Sequence, residues 1–199
     1  MRVEIYLLRH GETRWNAERR LQGQHDSPLT PRGREQAQLL GRILAKHLGV
    51  HHHLPMYVSP LGRTRETAAI VQQYAESSRL IYEPRIQEMS LGAWEGLTRA
   101  EVDAGWPGVA DGYGNPAWYF RAPGAESYAK CKQRIEAWMR ELTAPVVAVS
   151  HGLAGRLIRG LYLALPREQI LALTVPQDVV WRLADGKIEA LWLESIAGG

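Results

Sequence analysis

Two short apolar runs constrain this chain more than any other feature of it. Val3 to Leu8 is almost continuously hydrophobic, and so is Val146 to Val149. Runs of this kind suit strands covered on both faces, as in parallel sheets sandwiched between helices. Each run leads directly into chemistry, the first into Arg9-His10-Gly11 and the second into Ser150-His151-Gly152. Open α/β sheets bind their ligands beyond the carboxyl ends of such strands. If the two strands are parallel neighbours, both histidines meet at one edge of one sheet.

The rest of the chain is consistent with that frame. Its 199 residues suffice for one α/β domain with a full core. Thr30-Pro31 reads as a cap and first-turn proline opening a helix over about 32–48, with Ala37, Leu40, Ile43, Leu44 and Leu48 as its apolar face. Met56 to Val58 reads as a strand, Ser59-Pro60 as the cap of a helix running to about Tyr74, and Leu80 to Tyr82 as another strand. A long helix is expected over 126–142 with Ile135, Met139 and Leu142 inward, and another over 153–163. Asp185-Gly186 between two apolar runs is a strong hairpin signal. This alternation predicts a three-layer α/β/α fold with a mostly parallel six-stranded sheet and one antiparallel edge strand. A single domain over 1–199 is expected, with a cap or lid inserted at about 92–124, where Trp106, Tyr113, Trp118, Tyr119 and Phe120 make the segment too aromatic for a disordered linker.

Composition narrows the function. A formal net charge of +3 leans weakly toward small anionic substrates. No basic stripe interleaved with aromatics occurs, so nucleic acid is not expected as a partner. No apolar stretch approaches a membrane span, and the first strand starts too soon after Met1 for a signal peptide. The single cysteine, Cys131, excludes an internal disulfide and suits a reducing cytoplasm, the expected location.

Three cationic positions converge on a phosphate. Arg9 and His151 end the two buried strands, and Arg63 falls in the first turn of the helix after Ser59-Pro60, near its positive dipole end. Two guanidinium forks, an imidazolium and backbone N–H groups match the oxygens of a phosphoryl group. A neutral His10 nitrogen could attack phosphorus and form a phosphohistidine, with Glu12 or Glu88 protonating the leaving alkoxide. Competing chemistries lack their residues. Cys131 lies in a Lys/Arg/Glu-rich run and not before a phosphate loop, and no Asp-x-Asp, Walker loop or His-Glu-x-x-His occurs. Metal-independent histidine chemistry remains, with no metal and no cofactor expected.

These residues resemble a known family. Leu8-Arg9-His10-Gly11-Glu12-Thr13 with Trp15-Asn16 is similar to the signature of the histidine phosphatase superfamily, also called phosphoglycerate mutase-like. Gln22-Gly23 with Asp26-Ser27-Pro28-Leu29-Thr30, Ser59 to Ala68, Glu88 with Leu91-Gly92-Ala93-Trp94-Glu95-Gly96, and Ser150-His151-Gly152 with Arg156 match its later blocks in order. The resemblance implies that His10 is the nucleophile, that Arg9, Arg63 and His151 form the phosphate pocket, and that Glu88 is the proton donor and later the base. It also implies that Asn16, Gln22 and Gly23 line the phosphate or substrate.

Within that family the phosphatase branch fits better than the mutases. A mutase holds a second phosphate and needs further cations after the glutamate block, yet residues 92–129 contain only Arg99 and Arg121 as basic side chains. The expected activity is hydrolysis of a small phosphorylated metabolite. The alternatives are a 2,3-bisphosphoglycerate-dependent phosphoglycerate mutase and a non-catalytic phospho-ligand sensor. The apolar terminal hairpin offers a surface for a homodimer.

Bland readings exist for several of these residues. Arg63 could pair with Glu66 at helical spacing, Glu12 could serve a loop or helix end, and Cys131 reads as a small residue on a helix. His47 and the His51-His52-His53 run read as a solvated turn and not a metal site. The cap aromatics serve equally well as a small core and as substrate contacts.

Overall fold

The computed structural model describes residues 3–109 and 116–193. In chain order its elements are β1 (Ile5–Arg9), α1 (Arg14–Ala17), α2 (Pro31–Leu48), β2 (Met56–Val58), α3 (Gly62–Val71), β3 (Leu80–Tyr82), α4 (Arg99–Gly105), α5 (Tyr128–Glu141), β4 (Val146–Ser150), α6 (Gly152–Tyr162), α7 (Arg167–Ala172), β5 (Val180–Ala184) and β6 (Lys187–Leu191). The strands form one sheet in the order β3-β2-β4-β1-β5-β6. The first four of these are parallel, β5 runs antiparallel to β1, and β6 closes the edge as its hairpin partner. The mostly parallel six-stranded sheet with an antiparallel edge is therefore present. Asp185 and Gly186 both adopt positive φ, 50° and 73°, as a tight two-residue hairpin turn requires.

The central strands explain why the two apolar runs carry so few polar residues. Alternate side chains of a strand face opposite ways. Ile5 and Leu7 of β1, with Val146 and Ala148 of β4, enter a core shared with Ile135 and Trp138 of α5 and Leu157 and Ile158 of α6. Tyr6, Leu8, Val147 and Val149 enter a second core with Leu40, Ile43 and Leu44 of α2 and Ala68 and Val71 of α3. A third, smaller cluster gathers Trp94, Val102, Trp118 and Ala122 inside the 92–124 stretch. Tyr113 lies outside the described residues.

Several local expectations need correction. The helix after Ser59-Pro60 starts at Gly62 with Leu61 as N-cap, which has no polar side chain to make a cap bond, and the Ser59 hydroxyl instead meets His151 Nε2 at 2.7 Å. On α5 the deepest residues are Cys131, Ile135 and Trp138, while Met139 is only partly buried. The loop after β1 contains the short helix α1, closed by a reciprocal capping box between Thr13 and Asn16. Neither α1 nor α7 has an apolar periodicity long enough to read from sequence. The histidine run is also not uniformly solvated: His51 meets Glu76 at 2.9 Å, and His52 is buried. Among the described residues no group of His, Cys, Asp and Glu could hold a metal ion. No helix among them is long and apolar enough to cross a membrane.

The first turn of α2 packs directly on the segment that follows β1. A Cβ on Gly33 would lie 2.0 Å from the backbone oxygen of Glu12, and one on Gly11 would lie 2.1 Å from that of Gly33. Helix propensity alone favours alanine over glycine by about 1 kcal/mol. Here the obstacle is backbone that cannot rotate away, so overpacking decides the sign. Gly33→Ala is expected to destabilise the fold by roughly 1–3 kcal/mol, read as a lower urea midpoint at unchanged slope.

Candidate active site

The parallel pairing of β1 with β4 puts Arg9 opposite Ser150, so the next residues on both strands, His10 and His151, emerge together. Their ring centroids are 5.2 Å apart. Arg9, His10, Asn16, Gln22, Gly23, Arg63 and Glu88 all line one cleft of about 200 Å³ at the carboxyl edge of the sheet. His151 lies just beneath it, buried beside His10. Glu12 does not belong to the cleft. It accepts a hydrogen bond from Thr30 Oγ1 and lies near Arg32 at the start of α2, which leaves Glu88 as the carboxyl group at the site.

His10 is set up as a neutral base with a defined tautomer. Its Nδ1 is 2.8 Å from the carbonyl oxygen of Gly11. A carbonyl can only accept, so Nδ1 carries the proton and the lone pair sits on Nε2. Burial, reinforced by the charges of Arg63 and Arg9, holds the His10 pKa well below the usual imidazole range. His151 is depressed in the same way, by burial first and then by Arg63, His10 and Arg9. The imidazolium expected at His151 is thus a neutral ring in the free protein, and an incoming phosphate dianion would favour its protonation.

Each guanidinium is aimed by backbone oxygens. Arg63 is buried and donates through Nη1 to His25 O at 2.7 Å and Asp26 Oδ1 at 2.9 Å, and through Nη2 to Gly23 O at 2.7 Å. Its Nε is buried without a partner. Glu66 pairs instead with Arg34, so Arg63 is not a surface ion pair. The N-terminal amides of α3, Gly62 N and Arg63 N, are taken by Asp26. The helix end therefore anchors a carboxylate and offers no free dipole to a ligand. Arg9 donates to Val175 O, and burial lowers its pKa to about 10 although Glu88 acts against the shift.

Glu88 lies where the chain between β3 and the cap passes α6. Ser150 Oγ holds Ile86 O at 2.8 Å, and Arg134 Nη1 holds Arg85 O at 2.6 Å. In the free protein the Glu88 carboxylate accepts from Leu153 N at 3.1 Å and Ala154 N at 3.0 Å, at the positive end of α6. Asn16 is tied to the site through Gln177, whose Nε2 donates to Asn16 Oδ1 at 3.2 Å and to His10 O at 3.0 Å. Buried Gln22 leaves its Oε1 unpartnered beside the cleft.

Comparison with known proteins identifies the family. The sequence model of the histidine phosphatase superfamily (branch 1) matches residues 5–185. The chain belongs to that superfamily. It is 37% identical over 177 residues to "Probable phosphoglycerate mutase GpmB" of Salmonella paratyphi B, covering 82% of this chain and 76% of that protein. Among solved structures it resembles YhfR of Bacillus stearothermophilus, with a TM-score of 0.77 and 31% identity over 94% of this chain and 95% of that one. It also resembles the α-ribazole phosphatase of Shigella flexneri, with a TM-score of 0.76 and 27% identity over 99% and 98%. The superfamily relatives are thus phosphatases and mutases, the enzyme type to which this histidine phosphatase fold corresponds.

Two features of the site were missed in sequence. Arg156, Arg159 and Arg9 donate to the consecutive carbonyls of Leu173, Thr174 and Val175, so an unremarkable loop organises three cations. No sequence signal marks that loop. Glu95 was noted only as part of a motif block, yet its Oε1 receives Gln24 N and Leu91 N at 2.9 Å each and Ser90 Oγ at 3.2 Å. Gly23, at φ 54°, passes so close that a Cβ would lie 2.1 Å from that oxygen. Since Gly23 O holds Arg63, Glu95 positions Arg63 through the loop. Glu95→Ala leaves several partly buried donors without their partner, at up to about 1–3 kcal/mol each. It is expected to raise the inhibition constant for inorganic phosphate several-fold, with Glu95→Gln recovering part of the loss. A variant with lowered stability and an unchanged phosphate inhibition constant would show that Glu95 supports the fold alone.

Proposed function

We propose that this protein is a metal-independent phosphomonoesterase acting on a small phosphorylated metabolite through phospho-His10. The observation that carries the reading is the setting of His10: its Nδ1 lies 2.8 Å from the Gly11 carbonyl oxygen, which leaves Nε2 as the unprotonated nitrogen, and the residue lines a cleft flanked by Arg9, Arg63 and His151. In the first step Nε2 attacks phosphorus in line and the P–O ester bond breaks; Glu88, which takes up a proton from the substrate or solvent as the phosphate charge arrives beside it, gives that proton to the departing alkoxide. In the second step Glu88 takes a proton from water, which displaces His10 and yields inorganic phosphate. Arg9, Arg63 and a His151 protonated in the complex stabilise the charge on the phosphoryl oxygens. The 92–124 stretch acts as the cap that chooses the alcohol.

Hydrolysis is favoured over mutase action by how the extra cations are used. Arg99 is paired with Asp103 at 2.8 Å and stacked over Trp118, and Arg20 donates to Gly96 O, Glu101 and Glu18. Neither is left to bind the second phosphate of a bisphosphorylated intermediate. The name of the Salmonella relative favours the mutase, and 3-phosphoglycerate assayed with and without 2,3-bisphosphoglycerate separates the two: net phosphate release marks the phosphatase and isomerisation the mutase.

His10→Ala is expected to abolish phosphate release in the presence of EDTA, and Glu88→Gln to lower kcat by about 10²–10⁴. Rapid quench with ³²P-labelled substrate is expected to trap an acid-labile, base-stable phosphoenzyme, and turnover by His10→Ala at the wild-type rate would end the mechanism. The pH profile follows from the sign of the His10 shift. Protonation disables Nε2, and its pKa is depressed, so kcat/KM is expected to show no acid limb near 6.5 from this residue; any such limb falls lower.

A further inference from the structure

The segment before β5 holds more than arginines, because it also reaches the nucleophile. Gln177 is half-buried there and uses both N–H bonds of its Nε2, one toward His10 O at 3.0 Å and one toward Asn16 Oδ1 at 3.2 Å. A backbone carbonyl can only accept, so the Gln177 atom facing His10 is its nitrogen. The Asn16 atom facing that nitrogen must then be oxygen. Thr13 N points at the same atom from 3.2 Å and requires an acceptor there independently. Two donors thus decide which way round the Asn16 amide lies. Shape cannot decide it, since the two ends of a carboxamide are nearly equal in size. Asn16 lines the cleft with Arg9, His10 and Arg63, and with Oδ1 committed to Thr13 and Gln177 the polar atom left for a ligand is Nδ2.

We infer that Gln177 is a positioning residue for phosphoryl recognition, holding the Asn16 amide with Nδ2 toward the cleft while it fixes the backbone of His10. This rests on the phosphomonoesterase reading only for the identity of the ligand as a phosphoryl group. Turned over, the amide would set Oδ1 against phosphoryl oxygens, acceptor against acceptor, and its NH₂ against the donors of Thr13 and Gln177. A guanidinium is a donor in every orientation. Asn16 is a neutral donor whose sense reverses on rotation, so it is the one that needs a lock. His10 gains from the same side chain: its N donates to Ser150 O at 3.1 Å and its carbonyl accepts from Gln177, so both backbone polar groups of the nucleophile are engaged before a ligand arrives. Residues 173–177 thereby act as one wall. Their carbonyls aim Arg156 and Arg159 of α6 and Arg9 of β1, and the Gln177 amide aims Asn16 of α1.

Binding of inorganic phosphate is measured by calorimetry, and kcat/KM with p-nitrophenyl phosphate. Gln177→Met keeps the length of the side chain and loses both N–H donors. It is expected to raise the phosphate Kd about three- to tenfold, the size of one neutral hydrogen bond, and to lower kcat/KM by a similar factor. Gln177→Glu can only accept, so it draws Nδ2 away from the cleft and is expected to lose more. In a double-mutant cycle most of the Gln177→Met effect is expected to vanish in the Asn16→Ala background. An undiminished effect there overturns the inference, because Gln177 would then act on the fold or on His10 and not through Asn16. So does a Gln177→Met variant with the wild-type Kd. Nuclear magnetic resonance of the unsubstituted protein needs no variant to fold: the Asn16 side-chain NH₂ signals, assigned through their backbone connectivity, are expected to shift on saturation with phosphate, and signals that do not move overturn the inference. Phosphate binding without p-nitrophenyl phosphate turnover ends the phosphatase reading, while the cycle still judges Gln177. Absence of phosphate binding ends both.

Discussion

The pairing of β1 with β4 is the constraint on which the rest of the structure depends. It is a parallel pairing in a fixed register, Arg9 opposite Ser150, between two strands buried on both faces. A shift of one residue would turn every side chain of a strand to the wrong core, so the register is held by the whole apolar content of the sheet. The histidines follow the last paired residues and inherit that register. Their closeness is thus secured by hydrophobic burial on both sides of the sheet and not by any direct attraction between two rings that burial and neighbouring arginines keep uncharged.

That arrangement concentrates positive charge in a place short of negative charge. Arg9, Arg63 and Arg156 surround a cleft whose lining holds a single carboxylate, Glu88. Peptide oxygens do much of the balancing: Gly23 and His25 for Arg63, and the run from Leu173 to Val175 for Arg156, Arg159 and Arg9. Carbonyl dipoles orient a guanidinium without neutralising it. The fork is held rigid while its charge remains available to an anion, which is the preorganisation that electrostatic catalysis needs. A fully paired network of carboxylates would be more comfortable in the free protein and of less use to a phosphate.

The same field sets the protonation of the proposed nucleophile. Surrounded by guanidinium and removed from water, His10 stays neutral, and the Gly11 carbonyl selects which nitrogen keeps the lone pair. The aromatics of the 92–124 stretch divide between an internal cluster and the cleft wall. Trp94 and Trp118 form a core of their own, with Trp106 packed edge-on against Trp94, whereas Tyr119 packs on Trp118 and also reaches the cleft. One side chain thus joins the packing of the 92–124 stretch to the lining of the cleft.

The sequence by itself determined the family and the sheet. The apolar runs, the cap at Thr30 and the Asp185-Gly186 turn are local signals, and a strand-end Arg-His beside a strand-end Ser-His is informative because strands must end somewhere in the same plane. Tertiary structure decided the rest, since it depends on residues far apart in the chain. The residues alone offered both Glu12 and Glu88, with the family resemblance favouring Glu88, and it is the path of the chain after β3 that brings Glu88 to the cleft while Thr30 holds Glu12 away. Ser59 looked like a helix cap and became the partner of His151, across 92 positions of sequence. The charge state of His151 and the bracing of three arginines by residues 173–175 are likewise properties of burial and proximity, which no single stretch of sequence contains.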